Sequence, residues 1–140
     1  MKRQTLTLVT VLALLLVSGS AYAQTIKIKA NIPFDFVVSG KTMPAGSYLI
    51  QSFGPSDGKT LLVRSDDQQA KAMINALSAV SLQPSDRTKL VFHRYAGRYF
   101  LSQVWRAGEN RGHQLPKSRR EAEVAMDYPV QTVVLVAEAR

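Results

Sequence analysis

The run Lys89-Leu-Val-Phe-His-Arg-Tyr-Ala-Gly-Arg-Tyr-Phe-Leu-Ser-Gln-Val-Trp105 admits few conformations. Two β-prone segments flank a single Ala-Gly step, which reads as the loop of a two-residue hairpin. Pairing then sets Tyr95 against Arg98, Arg94 against Tyr99, His93 against Phe100 and Phe92 against Leu101. One face is expected to carry Leu90, Phe92, Tyr99, Leu101 and Trp105, and the other Val91, His93, Tyr95, Phe100 and Val104. Cross-strand aromatic and Arg–aromatic pairs add roughly 0.2–1 kcal/mol each. Hairpin stability therefore accounts for most of this composition without a ligand.

The rest of the chain has the same punctuation. Thr25 to Lys29 alternates, with Ile26 and Ile28 on one side and both lysines on the other. Phe34, Phe36 and Val38 resume the alternation after Pro33, and Ser47 to Phe53, Thr60 to Ser65 and Thr88 to Tyr95 follow turn-rich stretches. Pro55-Ser-Asp and Pro84-Ser-Asp reuse one turn chemistry, in which Pro presets φ and Ser and Asp bond nearby backbone amides. Ala70 to Leu82 has helix-prone alanines, but the alternation through Ala72-Met-Ile-Asn75 favours a strand. Ser118-Arg-Arg-Glu121 has capping-box spacing, with Glu121 reaching back to Ser118, so a short helix is expected over Arg119 to Asp127 before Pro129. Val130 to Ala137 reads as a strand buried on both faces that pairs beside the first strand and closes the sheet. The expected fold is all-β, a single antiparallel barrel or sandwich of about eight strands with one short helix before the last.

Residues 1–23 are expected to be a cleaved signal peptide. Lys2 and Arg3 precede the apolar run Leu6 to Val17, and Ala21-Tyr-Ala23 has the small-x-small form of a cleavage site. The apolar run is too short for the ~20 residues of a membrane span. The mature chain, 24–140, is 117 residues (140 less 23), one domain with no transmembrane segment, periplasmic or secreted. It has no cysteine, so packing rather than disulfides must stabilise it. Without Lys2 and Arg3 its charge is 16 Lys+Arg against 10 Asp+Glu, or +6. That balance favours anionic polysaccharide, cell-envelope polymer or lipid head groups as partners, and no motif points to specific nucleic-acid binding.

Catalytic signatures do not assemble. Gly54 to Thr60 has three residues between its glycines where a phosphate loop needs four, and it leads into a strand rather than a helix. Ser56-x-x-Lys59 lacks both the helix and the companion motifs of penicillin-interacting enzymes. His93 and His113 are the only histidines, with no zinc-type spacing, so neither metal nor cofactor is expected. The candidate binding residues are the cationic and aromatic ones: His93, Arg94, Tyr95, Arg98, Tyr99, Trp105, Arg119 and Arg120. The last two oppose the helix dipole, which prefers anions at an N-terminus, and that small cost points to another use.

Three segments, Ile32 to Ile50, Lys89 to Trp105 and Lys117 to Ala125, resemble the small exported proteins of uncharacterised function found in acidobacterial-type soil bacteria. Phe34, Phe36, Val38, Gly40, Pro44, Ala45, Gly46 and Tyr48 carry one block of the resemblance, and Tyr99, Phe100, Leu101 and Trp105 another. The resemblance implies an exported class and no activity. The leading expectation is a non-catalytic exported protein that binds anionic envelope or extracellular polymers. A small barrel carrying an apolar ligand and an unrecognised hydrolase using His93 or His113 are the alternatives.

Overall fold

The computed structural model describes residues 26–53 and 59–139. The expected leader and the turn expected over residues 54–58, including Ser56, lie outside the described residues. In chain order the elements are β1 (Lys27–Ile32), β2 (Phe36–Val38), β3 (Lys41–Met43), β4 (Gly46–Phe53), β5 (Thr60–Ser65), β6 (Lys71–Asn75), β7 (Leu77–Val80), β8 (Lys89–Tyr95), β9 (Arg98–Trp105), β10 (Arg111–Gln114), α1 (Arg119–Asp127), β11 (Gln131–Val136) and β12 (Glu138–Ala139).

They form two sheets. One has the order β12-β1-β4-β5-β6, and the other runs β11-β8-β9-β10-β7 with β2 added to β9 and β3 to β2. The fold is an all-β sandwich and does not close into a barrel. The described strands outnumber the eight expected because several are only two to four residues long. Pairing is antiparallel except for β2 on β9, which is parallel, with Phe36 opposite Tyr99 and Val37 opposite Phe100.

Alternation decides which side chains enter the core. In β1, Ile28, Ala30 and Ile32 are buried, whereas Lys27 and Asn31 are exposed. In β6, Ala72 and Ile74 point in while Lys71, Met73 and Asn75 point out. A period of two overrides the helical propensity of its alanines, so residues 71–75 and 77–80 are strands. Both sheets supply the core, through Ile28, Ile50, Leu61 and Val63 on one side and Phe36, Leu90, Phe92 and Val104 on the other, all 0–1% exposed. Phe36 meets the Tyr48 and Phe92 rings edge-on, at 5.0 and 5.7 Å. The Pro44-Ala-Gly block is tied to the same region, because the Tyr48 hydroxyl donates to the Pro44 carbonyl and the Ala45 N–H to Asp35 Oδ1.

The β8–β9 hairpin pairs as expected from Tyr95–Arg98 to Phe92–Leu101. Ala96 and Gly97 both have positive φ, 47° and 84°, as a type I′ turn requires. Beyond Leu101 the register slips by one, so that Val91 meets Gln103, Leu90 meets Val104 and Lys89 meets Trp105. Ser102 is the extra residue of a β-bulge, and its carbonyl accepts the Leu115 N–H. The bulge corrects the expected faces. Val104 turns into the main core, and Trp105 crosses to the outer face with Val91 and Ala79.

The C-terminal run also departs from expectation. β11 pairs with β8 along its whole length and ends that sheet. Val133, Leu135 and Ala137 pack on the core, and Val134 and Val136 are more than half exposed. The two-residue β12 is what reaches β1, after the chain passes from one sheet edge to the other at Ala137, whose N–H donates to the Thr88 carbonyl. A continuous apolar run does not distinguish burial on two faces from burial on one with an exposed edge.

Trp105 imposes a local constraint. A Cβ on Gly112 would lie 2.7 Å from the indole Cδ2 and Cε3 and 2.9 Å from the Val104 carbonyl oxygen. Gly112→Ala is therefore expected to destabilise the protein by about 1–3 kcal/mol, the usual range for overpacking. Urea unfolding followed by tryptophan fluorescence measures this, and a variant as stable as the parent would refute the packing.

Candidate functional site

Helix α1 lies on the outer face of the β8–β9 hairpin. Ser118 caps it, accepting the Glu121 N–H at 3.2 Å. Only this half of the expected capping box forms, because the Glu121 side chain turns toward the sheet instead of back along the chain. It is 5% exposed, with its carboxylate 3.8 Å from His93 Nδ1 and facing the Tyr95 hydroxyl. Farther along α1, Val124 and Ala125 pack on Val37, Tyr95 and Phe100 in a small second core. The face bearing His93 and Tyr95 is thus closed over by the protein's own helix.

Burial pushes the Glu121 carboxyl above the usual range, and the nearby His93 and Lys117 hold it back only in part. Tyr95 is pushed up as well, first by burial and then by the Glu121 charge. A carboxyl raised in the folded state favours folding below its unfolded value, and that contribution is lost as pH rises through its folded value.

A second arrangement is open to solvent. The parallel pairing of β2 with β9 sets Phe36 beside Tyr99, and the first turn of α1 brings Arg120 over β3, where its Nη1 donates to Thr42 Oγ1 at 3.1 Å. Between them is a groove of about 220 Å³, lined by Arg98, Tyr99, Arg120, Asp35, Thr42 and Phe100 among others. The Tyr99 ring itself packs toward the main core, stacked on Phe34 at 3.8 Å and 14° with the Arg94 guanidinium 5.5 Å from its centroid. Two guanidiniums and one carboxylate, that of Asp35, leave the groove positive.

The eight candidate residues separate accordingly. Arg98, Tyr99 and Arg120 share the groove, and Arg94 backs Tyr99. His93 and Tyr95 belong to the cluster under α1. Arg119 is in solvent, 3.5 Å from Glu123. Trp105 is on the other half of the outer face, its Nε1 donating to Gln103 Oε1 at 3.0 Å. There it lines a separate groove of about 550 Å³ with Lys89, Gln103, Asp86 and Val134. His113, the hydrolase alternative's other base, sits on β10 opposite Val104 and Ser78.

Sequence reading missed Asp35 and Thr42 as groove residues. The β2–β9 contact that recruits them joins positions more than sixty apart and has no local signature. Among the described residues, no three His, Cys, Asp or Glu side chains converge as metal ligands, and no helix is long and apolar enough to cross a membrane. Comparison with protein-family models, curated proteins and solved structures finds no match to this chain.

The buried carboxyl sets a pH test. Glu121→Gln removes the cost of ionising that group under α1, so its stability relative to the parent is expected to rise between pH 4 and pH 7. Urea midpoints of both proteins across that range measure the difference. A constant difference would show that Glu121 ionises as easily folded as unfolded.

Proposed function

We propose that this chain is an exported, non-catalytic protein that binds an anionic envelope or extracellular polymer. The reading rests chiefly on the groove that Arg98 of β9 and Arg120 of α1 line together with Tyr99. Guanidinium forks suit carboxylate and phosphate groups, and each charge-assisted hydrogen bond is stronger than a neutral one. A groove of about 220 Å³ is smaller than the ~300 Å³ lower limit of common small-molecule pockets. That size suits one charged unit of a chain lying across the surface. The expected +6 charge of the mature protein would draw such polymers in. The signal-peptide pattern supports export, and the resemblance to small exported soil-bacterial proteins supports the class without naming a ligand. The apolar-carrier alternative relied on a barrel interior, and this sandwich is not closed.

A binding panel tests the proposal, using a polyuronate, a polyglycerol phosphate and vesicles containing anionic lipid. Binding to at least one is expected at low salt and should weaken at about 0.2 M salt, where screening acts within ~10 Å. The double substitution Arg98→Ala with Arg120→Ala should weaken it about tenfold, or ~1.4 kcal/mol. No binding at low salt, or binding unchanged by the double substitution, would refute the assignment.

A further inference from the structure

Sheet edges invite further strands, and β proteins protect them with short strands, charges, bulges or covering segments. Four of the edges here carry such protection. β6 presents Lys71, whose carbonyl also accepts from Lys41 Nζ at 2.7 Å. β12 is two residues long and contains Glu138, β7 is four residues long, and β3 is three residues long and contains Lys41.

β11 is different. All six of its residues pair with β8, from Gln131–Arg94 to Val136–Lys89, and among the described residues its other side has no strand neighbour. It contains no proline, glycine or bulge, and no charged residue occurs from Tyr128 to Ala137. Val130, Val134 and Val136 are 54%, 53% and 57% exposed. Val134 also continues the apolar floor formed by Val91 and Trp105 in the larger groove.

We propose that β11 pairs with β11 of a second copy, antiparallel about a two-fold axis at Val134, joining two seven-stranded sheets into one. The strand matches itself under that operation. An axis perpendicular to the sheet keeps the outer faces on one side, so only residues of the same parity oppose one another. Centring on Val134 sets it against its own copy, Thr132 against Val136, and Val133 against Leu135. Outer valines then cover each other and inner side chains still face the two cores. Centring on Val133 would set Gln131 against Leu135. Because the strand is uncharged, two strongly basic molecules meet here without like charges directly opposed.

The absence of cysteine makes a clean test possible. Val134→Cys, expressed from the full sequence, is expected to form a disulfide-linked dimer under mild oxidation. It should do so about tenfold faster or more than Val80→Cys on β7, since pre-association raises the effective thiol concentration. Val80 is 73% exposed and so serves as an accessible control. The parent should sediment as a concentration-dependent dimer, and Val134→Lys should make it monomeric, with a urea midpoint equal to the parent's at protein concentrations low enough that the parent is itself monomeric. If Val134→Lys fails to fold, the cross-linking rates still decide. A parent that stays monomeric at millimolar concentration, or equal cross-linking at positions 134 and 80, would overturn the proposal.

Discussion

The pairing of β8 with β9 is the interaction on which most of the molecule depends. β11 hangs from one side of this hairpin, and β2 and β10 occupy successive halves of the other. Its two faces then become the floors of two cores. The bulge at Ser102 sets which side chains go where beyond Leu101, sending Val104 inward and Trp105 outward. Gly112 follows from that choice, since the indole occupies the space its side chain would need. A single inserted residue thereby fixes the composition of a neighbouring strand.

Helix α1 completes the structure in a less economical way. An apolar residue in place of Glu121 would cover His93 and Tyr95 without burying a charge, and burying a carboxyl costs free energy unless it is well paired. The charge near it is incomplete compensation, as the upward shift of Glu121 shows. What the carboxyl supplies is directionality, because a group that must face His93 and Tyr95 selects one docking position among those the apolar residues Val124 and Ala125 would tolerate.

Local pattern was sufficient for much of this. The turn at Ala96-Gly97, the first four hairpin pairs, the strand character of residues 71–75 and the Ser118 cap all depend on neighbouring residues, where period and turn chemistry act. The failures share a cause. The Ser102 bulge, the parallel β2–β9 contact and the edge position of β11 depend on which strand lies alongside, and a single run of residues does not encode its neighbour. For the same reason the arginines of the groove were recognisable as candidates, but their partners Asp35 and Thr42 were not. Trp105 and Arg98 were grouped because they are close in sequence, but the length of β9 separates them into different grooves of one face.

The groove's construction from two different bodies has a thermodynamic consequence. Arg98 and Tyr99 are fixed to the sheet, whereas Arg120 arrives with the first turn of α1, one residue before Glu121. A ligand gripped from both sides therefore favours the docked helix by its differential affinity for that state, and a firmly docked helix tightens the grip in equal measure. Under the proposed binding role, polymer capture and the ionisation of a carboxyl beneath the helix would draw on a single equilibrium, so that the acidity of the surroundings would tune adhesion.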